Sequence, residues 1–158
     1  MWKTDTIKGK EILIVDDEPD ILESLEEALE VCKISKASTF EAAKELLETQ
    51  QYDAAILDIM GVRGYDLLQI AIRRGIPAIM LTAHALTAED FIKSMKTGAY
   101  AYVPKDEMAD ITYYLADTLR ARQERSAKPG GWFAKLKPFF VKKFGPEWLD
   151  SVKDLWVE

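Results

Sequence analysis

Short apolar runs alternate along this chain with longer stretches whose apolar residues recur at helical spacing. The first run, Ile12 to Val15, is too short for a helix and rich in β-branched residues, which predicts a buried parallel strand. Pro19 then opens a segment with Ile21, Leu22, Leu25, Ala28 and Leu29 on one helical face, and proline suits the first turn of a helix. The unit repeats. A weaker strand from Cys32 to Ala37 precedes a helix carrying Ala42, Ala43, Leu46 and Leu47, for which Ser38 and Glu41 offer a capping box. Ala54 to Leu57 reads as a strand, Leu67 to Arg74 as a helix stopped by Gly75, and Ala78 to Leu81 as a fourth strand. Thr87 can cap a helix that runs through Thr97 and ends at Gly98. Tyr100 to Val103 is a fifth strand, and Met108, Ile111, Leu115, Leu119 and Arg122 mark a fifth helix.

Five strands alternating with five helices predict an α/β domain, a parallel sheet with helices on both faces, because right-handed crossovers lay each helix over the sheet. Ligands in such sheets sit at the carboxyl ends of the strands. Those ends carry Asp16 and Asp17 after the first strand, Asp58 after the third, Thr82 after the fourth and Lys105 after the fifth. Carboxylates about 4 Å apart repel by about 4 kcal/mol per pair at an effective dielectric near 20, a cost that a divalent cation offsets. Mg²⁺ or Mn²⁺ suits an all-oxygen donor set, whereas no histidine or thiolate is present here for zinc. The set is equipped for phosphoryl transfer: Asp58 as nucleophile, Lys105 and the cation on the developing charge, and the Thr82 hydroxyl as donor.

The blocks ILIVDDEPD, AAILDIM, IMLTAHA and AYVPK, in this order, resemble the signatures of response-regulator receiver domains over about residues 9 to 125. The resemblance implies a flavodoxin-like, doubly wound five-stranded parallel sheet of strand order 2-1-3-4-5. It further implies that Asp16 and Asp17 hold the metal, that Asp58 is phosphorylated by a histidine kinase or phosphotransfer protein, and that Met60 lends a backbone carbonyl to the metal. Thr82 and Tyr102 would form the switch, Thr82 moving toward the phosphoryl group while Tyr102 rotates inward. Their movement would alter the face of the fourth helix, fifth strand and fifth helix, the family's usual output surface. Blander roles exist for each residue: Asp16 or Asp17 as a helix cap, Thr82 on a loop amide, Lys105 as a solvated charge and Tyr102 as ordinary core. Capping needs one acid rather than two and accounts for neither Asp58 nor Lys105. His84, two positions after Thr82, either tunes dephosphorylation or is a surface histidine with no such role.

Two departures from the family pattern stand out. The loop after Asp58, Ile-Met-Gly-Val-Arg-Gly-Tyr, is two residues shorter than usual, with Gly61 and Gly64 available for a tightened turn. Pro104 precedes Lys105 instead of following it, which removes the family's usual cis peptide after the lysine.

Beyond about residue 125 the composition changes. Lys128-Pro-Gly-Gly131 is a breaker-rich hinge, and seven aromatic residues follow it, three of them tryptophans. Pro138 should interrupt any long helix, while Pro146 can start one with Trp148, Leu149, Val152, Leu155 and Trp156 on one face. The expected division is a receiver over 1–125 and an aromatic, lysine-rich helical extension over 126–158. Its apolar stripe needs a partner: this chain's own receiver or a second copy first, another protein next, a membrane surface last.

The formal charge of −6 argues against general nucleic-acid binding, and the extension is too short for a helix-turn-helix output domain, so no direct DNA contact is expected. Cys32 is the only cysteine, which excludes an intrachain disulfide and suits a reduced, cytoplasmic setting. The first ten residues lack the apolar core of a secretory signal, and no apolar run is long enough to span a bilayer. The expected function is that of a stand-alone response regulator signalling to a protein partner, with a homodimer through the output face or the extension as one arrangement. A pseudo-receiver binding module is the alternative. An aspartate-nucleophile phosphatase is less favoured, since that chemistry wants an acid two residues after Asp58, where Met60 stands.

Overall fold

The computed structural model of the chain describes residues 6–83, 87–124 and 130–155. Strands β1 (Glu11–Val15), β2 (Lys33–Ala37), β3 (Ala54–Asp58), β4 (Ala78–Thr82) and β5 (Ala101–Pro104) form one parallel sheet in the order β2-β1-β3-β4-β5. The expected strand order is thus the observed one. Every residue of β3, β4 and β5 is buried, as required of parallel strands covered on both faces. Helices α1 (Pro19–Ala28) and α5 (Ile111–Glu124) pack together in one layer; α2 (Phe40–Thr49), α3 (Gly64–Arg73) and α4 (Ala88–Thr97) adjoin one another in the other. A 3₁₀ segment, Lys105–Asp110, links β5 to α5.

Two further helices, α6 (Gly131–Phe144) and α7 (Trp148–Val152), complete the fold. Helix α6 lies against α5 and β5, so the last strand of the sheet is covered by the chain itself. Trp132, Leu136 and Phe140 are buried at a four-residue spacing that places them on one face. They belong to the same continuous core as the strand residues Ile14, Leu57 and Met80.

Three local expectations need correction. Thr39, not Ser38, caps α2, its hydroxyl accepting the Ala42 amide at 3.1 Å. Pro138 does not interrupt a helix: α6 runs through it. Pro138 and Ala134 are both exposed, so water can satisfy the Ala134 carbonyl that the missing proline N–H leaves free. The stretch around Met108 is 3₁₀, and the α-helix starts at Ile111. Asp16 accepts the Glu18 amide at 2.9 Å, and α1 has no side-chain cap, so the bland capping role open to these acids is not the one seen.

Candidate functional site

The register of the sheet carries the chemistry to one edge. Val15 pairs with Leu57, Asp58 with Leu81 and Thr82 with Pro104, so the residues that end β1, β3, β4 and β5 stand side by side. Single carboxylate oxygens of Asp16, Asp17 and Asp58 lie within 4.8 Å of one another. Asp16 and Asp58 are buried, while Asp17 faces solvent. The Lys105 ammonium sits 2.9 Å from Asp16 Oδ2 and 3.3 Å from Asp58 Oδ1, with Glu18 Oε1 at 3.6 Å.

Burial pushes the Asp58 carboxyl up to about 6, and the charge of Asp16 adds to the effect against the opposing pull of Lys105. Asp16 is also raised, chiefly by burial, with Lys105 pulling the other way. For Lys105 burial favours the neutral amine, but the contacts with Asp16 and Asp58 outweigh it and hold the ammonium above its ordinary value. One cation is therefore shared among more carboxylates than it can neutralise. Asp16 Oδ2 makes an ion pair with Lys105 but no well-formed hydrogen bond. An all-oxygen cluster with such an undersatisfied atom fits a hard divalent cation such as Mg²⁺.

The shortened loop after Asp58 is built around close approaches. Gly61 has φ 84°, and a side chain there would collide with the Asp17 carboxylate; one at Gly64 would strike the Asp58 carbonyl. Arg63 adopts the left-handed conformation with φ 56°, held by an ion pair to Asp66 at 2.9 Å and by its guanidinium 3.9 Å over the Phe40 ring. Met60 lies in this loop with its side chain 67% exposed.

Thr82 is buried at the rim, its hydroxyl donating weakly to the Ala83 carbonyl at 3.4 Å. Tyr102 is fully buried, its ring 5.2 Å from Phe91 in edge contact and 6.1 Å from Phe140. Burial raises the ionisation of its phenol, with Thr82 acting in the opposite sense, yet the hydroxyl makes no well-formed hydrogen bond. His84 lies outside the described residues. The structure thus brings together Asp16, Asp17, Asp58 and Lys105, places Thr82 beside them and sets Tyr102 within β5 three residues before Lys105. A cavity of about 580 Å³ lies at the opposite edge of the sheet among Lys10, Tyr52, Asp53 and Arg122, away from these groups.

Two participants escaped the sequence reading. Glu18 was visible as a third acid after β1. Asp117 was not recognised: it sits inside α5 with no turn or strand end beside it, yet it is 1% exposed and binds Tyr100 and the start of α6.

A doubly wound parallel sheet with carboxylates and a lysine gathered at its carboxyl edge defines a class of α/β domains built to handle charged ligands there. Residues 12–115 match the family model described as a response regulator receiver domain. The chain belongs to that family. It is 33% identical over 138 residues to response regulator Rre1 of Synechocystis sp., covering 82% of this chain and 59% of that protein. To the response regulator protein PilR of Pseudomonas aeruginosa it is 33% identical over 117 residues, covering 70% of this chain and 26% of the relative. The chain therefore spans less than two thirds of the length of these relatives. Among solved structures, a CheY-like receiver domain protein from Methanospirillum hungatei JF-1 superposes with a TM-score of 0.68 at 27% identity, over 75% of this chain and all of that one. No helix among the described residues is long and apolar enough to cross a membrane.

Proposed function

We propose that this chain is a phosphorylation-controlled switch in which Asp58 accepts a phosphoryl group from the phosphohistidine of a sensor kinase or phosphotransfer protein. A carboxylate oxygen of Asp58 forms the new P–O bond as the P–N bond to the donor imidazole breaks, and the imidazole leaves carrying the electron pair and takes up a proton. Asp16, Asp17, Asp58 and the Met60 carbonyl would hold Mg²⁺ or Mn²⁺. That cation supplies charge neutralisation for the carboxylates and the phosphoryl oxygens. Lys105 stands where its ammonium can bond a phosphoryl oxygen in place of an Asp58 oxygen, and Thr82 can turn its hydroxyl from the Ala83 carbonyl to another. Tyr102 would report the change to the face of α4, β5 and α5, where residues 131–152 lie, and so through them to a protein partner.

The observation that carries this reading is the cluster of three carboxylate oxygens within 4.8 Å with Lys105 at 2.9 and 3.3 Å from two of the acids. We divide the chain at about residue 125 into receiver and extension and place it in the cytoplasm, where the single free thiol of Cys32 would stay reduced. It is a signalling protein whose only chemistry is its own phosphorylation and dephosphorylation. Intact-mass measurement after incubation with Mg²⁺ and a small phosphodonor should show one added phosphoryl group, absent from Asp58→Asn and without Mg²⁺. Equal labelling of the variant, or turnover of many phosphate esters, would reject the assignment.

A further inference from the structure

The extension is joined to the receiver at three places. At its start, the buried Asp117 carboxylate accepts the Gly131 amide at 3.1 Å and the Trp132 amide at 3.0 Å, and the Tyr100 hydroxyl at 3.0 Å. A carboxylate from α5 thereby caps α6, whose positive helix end favours it. Side chains at Gly130 or Gly131 would collide with Tyr100, Asp117 or Tyr113, so the two glycines form a fitted joint. In its middle, Phe140 and Trp148 each lie 5.1 Å from Phe91, and Phe140 backs the Tyr102 ring. On a neighbouring part of α6, Phe139 and Lys143 share with Thr82, Ala83, Pro104, Lys105 and Asp106 a cavity of about 30 Å³. That space suits about one water molecule.

We propose that the extension is a working part of the phosphorylation switch: docked α6 keeps Tyr102 inward through Phe140 and completes the phosphoryl-site rim with Lys143, so docking and phosphorylation stabilise each other. The inference rests on the switch reading above. While Phe140 is seated, the space a tyrosine ring would need to leave the core is filled, which favours the inward state that a phosphorylated Asp58 selects. Lys143 brings a further positive charge to the rim, where a phosphoryl group adds negative charge. Because coupling of two equilibria is reciprocal, whatever factor docking contributes to phosphoryl binding, phosphorylation returns to docking. Phe140 and Lys143 are positioning residues in this scheme. The output face is meanwhile occupied by the chain itself, which leaves it closed to a second copy.

The test uses the full chain with beryllofluoride, a phosphoryl mimic, and Mg²⁺. Fluorine NMR reports whether the mimic binds, and hydrogen exchange reports the amides of residues 131–144. Protection of that segment should rise about fivefold or more when the mimic binds. Lys143→Ala and Phe140→Ala should each weaken mimic binding by about threefold or more, with Lys143→Arg and Phe140→Leu recovering most of it. Lys143 is exposed, so its variants keep the test informative if Phe140→Ala fails to fold. Bound mimic with unchanged or reduced protection overturns the coupling and leaves the phosphoacceptor reading standing. Absence of mimic binding to the unaltered chain overturns both. A rise in protection that grows with protein concentration means that a second copy supplies the helix, which also rejects docking in cis.

Discussion

At the scale of single residues, Asp58 is the group of the carboxylate cluster that burial and its neighbours push well away from its ordinary behaviour. Its folded value of about 6 lies above the ordinary carboxylate value near 3.9. The folded chain without metal therefore holds a proton that the unfolded chain has released. Its contribution to stability is complete below the unfolded value and lost as pH rises through about 6. Asp58→Asn removes that loss. Urea unfolding in chelator should show the variant gaining on the unaltered protein from about pH 4 to pH 7, by about 2–3 kcal/mol at the upper end. Added Mg²⁺ should shrink the gain by stabilising only the intact cluster; a pH-independent difference would contradict the electrostatic account. The acids of this site were legible because each follows an apolar run that could only be a strand, and strand ends share an edge. Asp117 was illegible for the converse reason: its partners Tyr100 and Gly131 lie 17 and 14 residues away, and their meeting depends on how α6 folds back. A hint did exist in its spacing, three residues after Tyr114 and four before Ala121, which are core-facing residues of α5.

At the scale of elements, apolar periodicity located every strand and helix of the sheet domain, while local end chemistry misled by one or a few residues. Ser38 and Thr39 are equally good caps by composition, and only the extended backbone at Thr39, φ −132° and ψ 159°, decides between them. Pro138 shows the larger failure. The propensity penalty for proline in a helix interior is real, but the buried stripe of Trp132, Leu136 and Phe140 overrides it. The penalty should persist as lost stability. Pro138→Ala is expected to stabilise the protein by about 1–3 kcal/mol in chemical denaturation, since both the N–H donor and the steric fit are restored. Destabilisation would mean that the proline serves a packing role in α6. The short loop between β3 and α3 was recognised as unusual from its length. Its solution, glycine against Asp17 and a left-handed Arg63 braced by Asp66 and Phe40, depends on contacts from α2 and the β1 edge.

At the scale of the whole molecule, the extension and the receiver share one core. Phe91 of α4 is fully buried and packs against Tyr102 of the sheet and against Trp132, Phe133, Phe140 and Trp148 of the extension. A core shared in this way should unfold as a unit. Tryptophan fluorescence of a Trp2→Phe variant, which reads only the extension through Trp132, Trp148 and Trp156, and far-ultraviolet circular dichroism, which reads the sheet and helices, should give coincident urea transitions. A separate early fluorescence transition would show that the extension is held independently. The aromatic content of the extension announced that it packs against something. That the partner is the receiver's own α4–β5–α5 face follows only from the folded chain, because an apolar stripe in sequence carries no address.

The proposed function requires that Asp58 form an acyl phosphate beside a divalent cation. Borohydride reduction after treatment with a small phosphodonor converts an acyl phosphate on aspartate to homoserine, which peptide mapping locates. The account predicts homoserine at position 58, formed with Mg²⁺ and absent in chelator. Reduction at another residue, or none at position 58 in the presence of Mg²⁺, would contradict it.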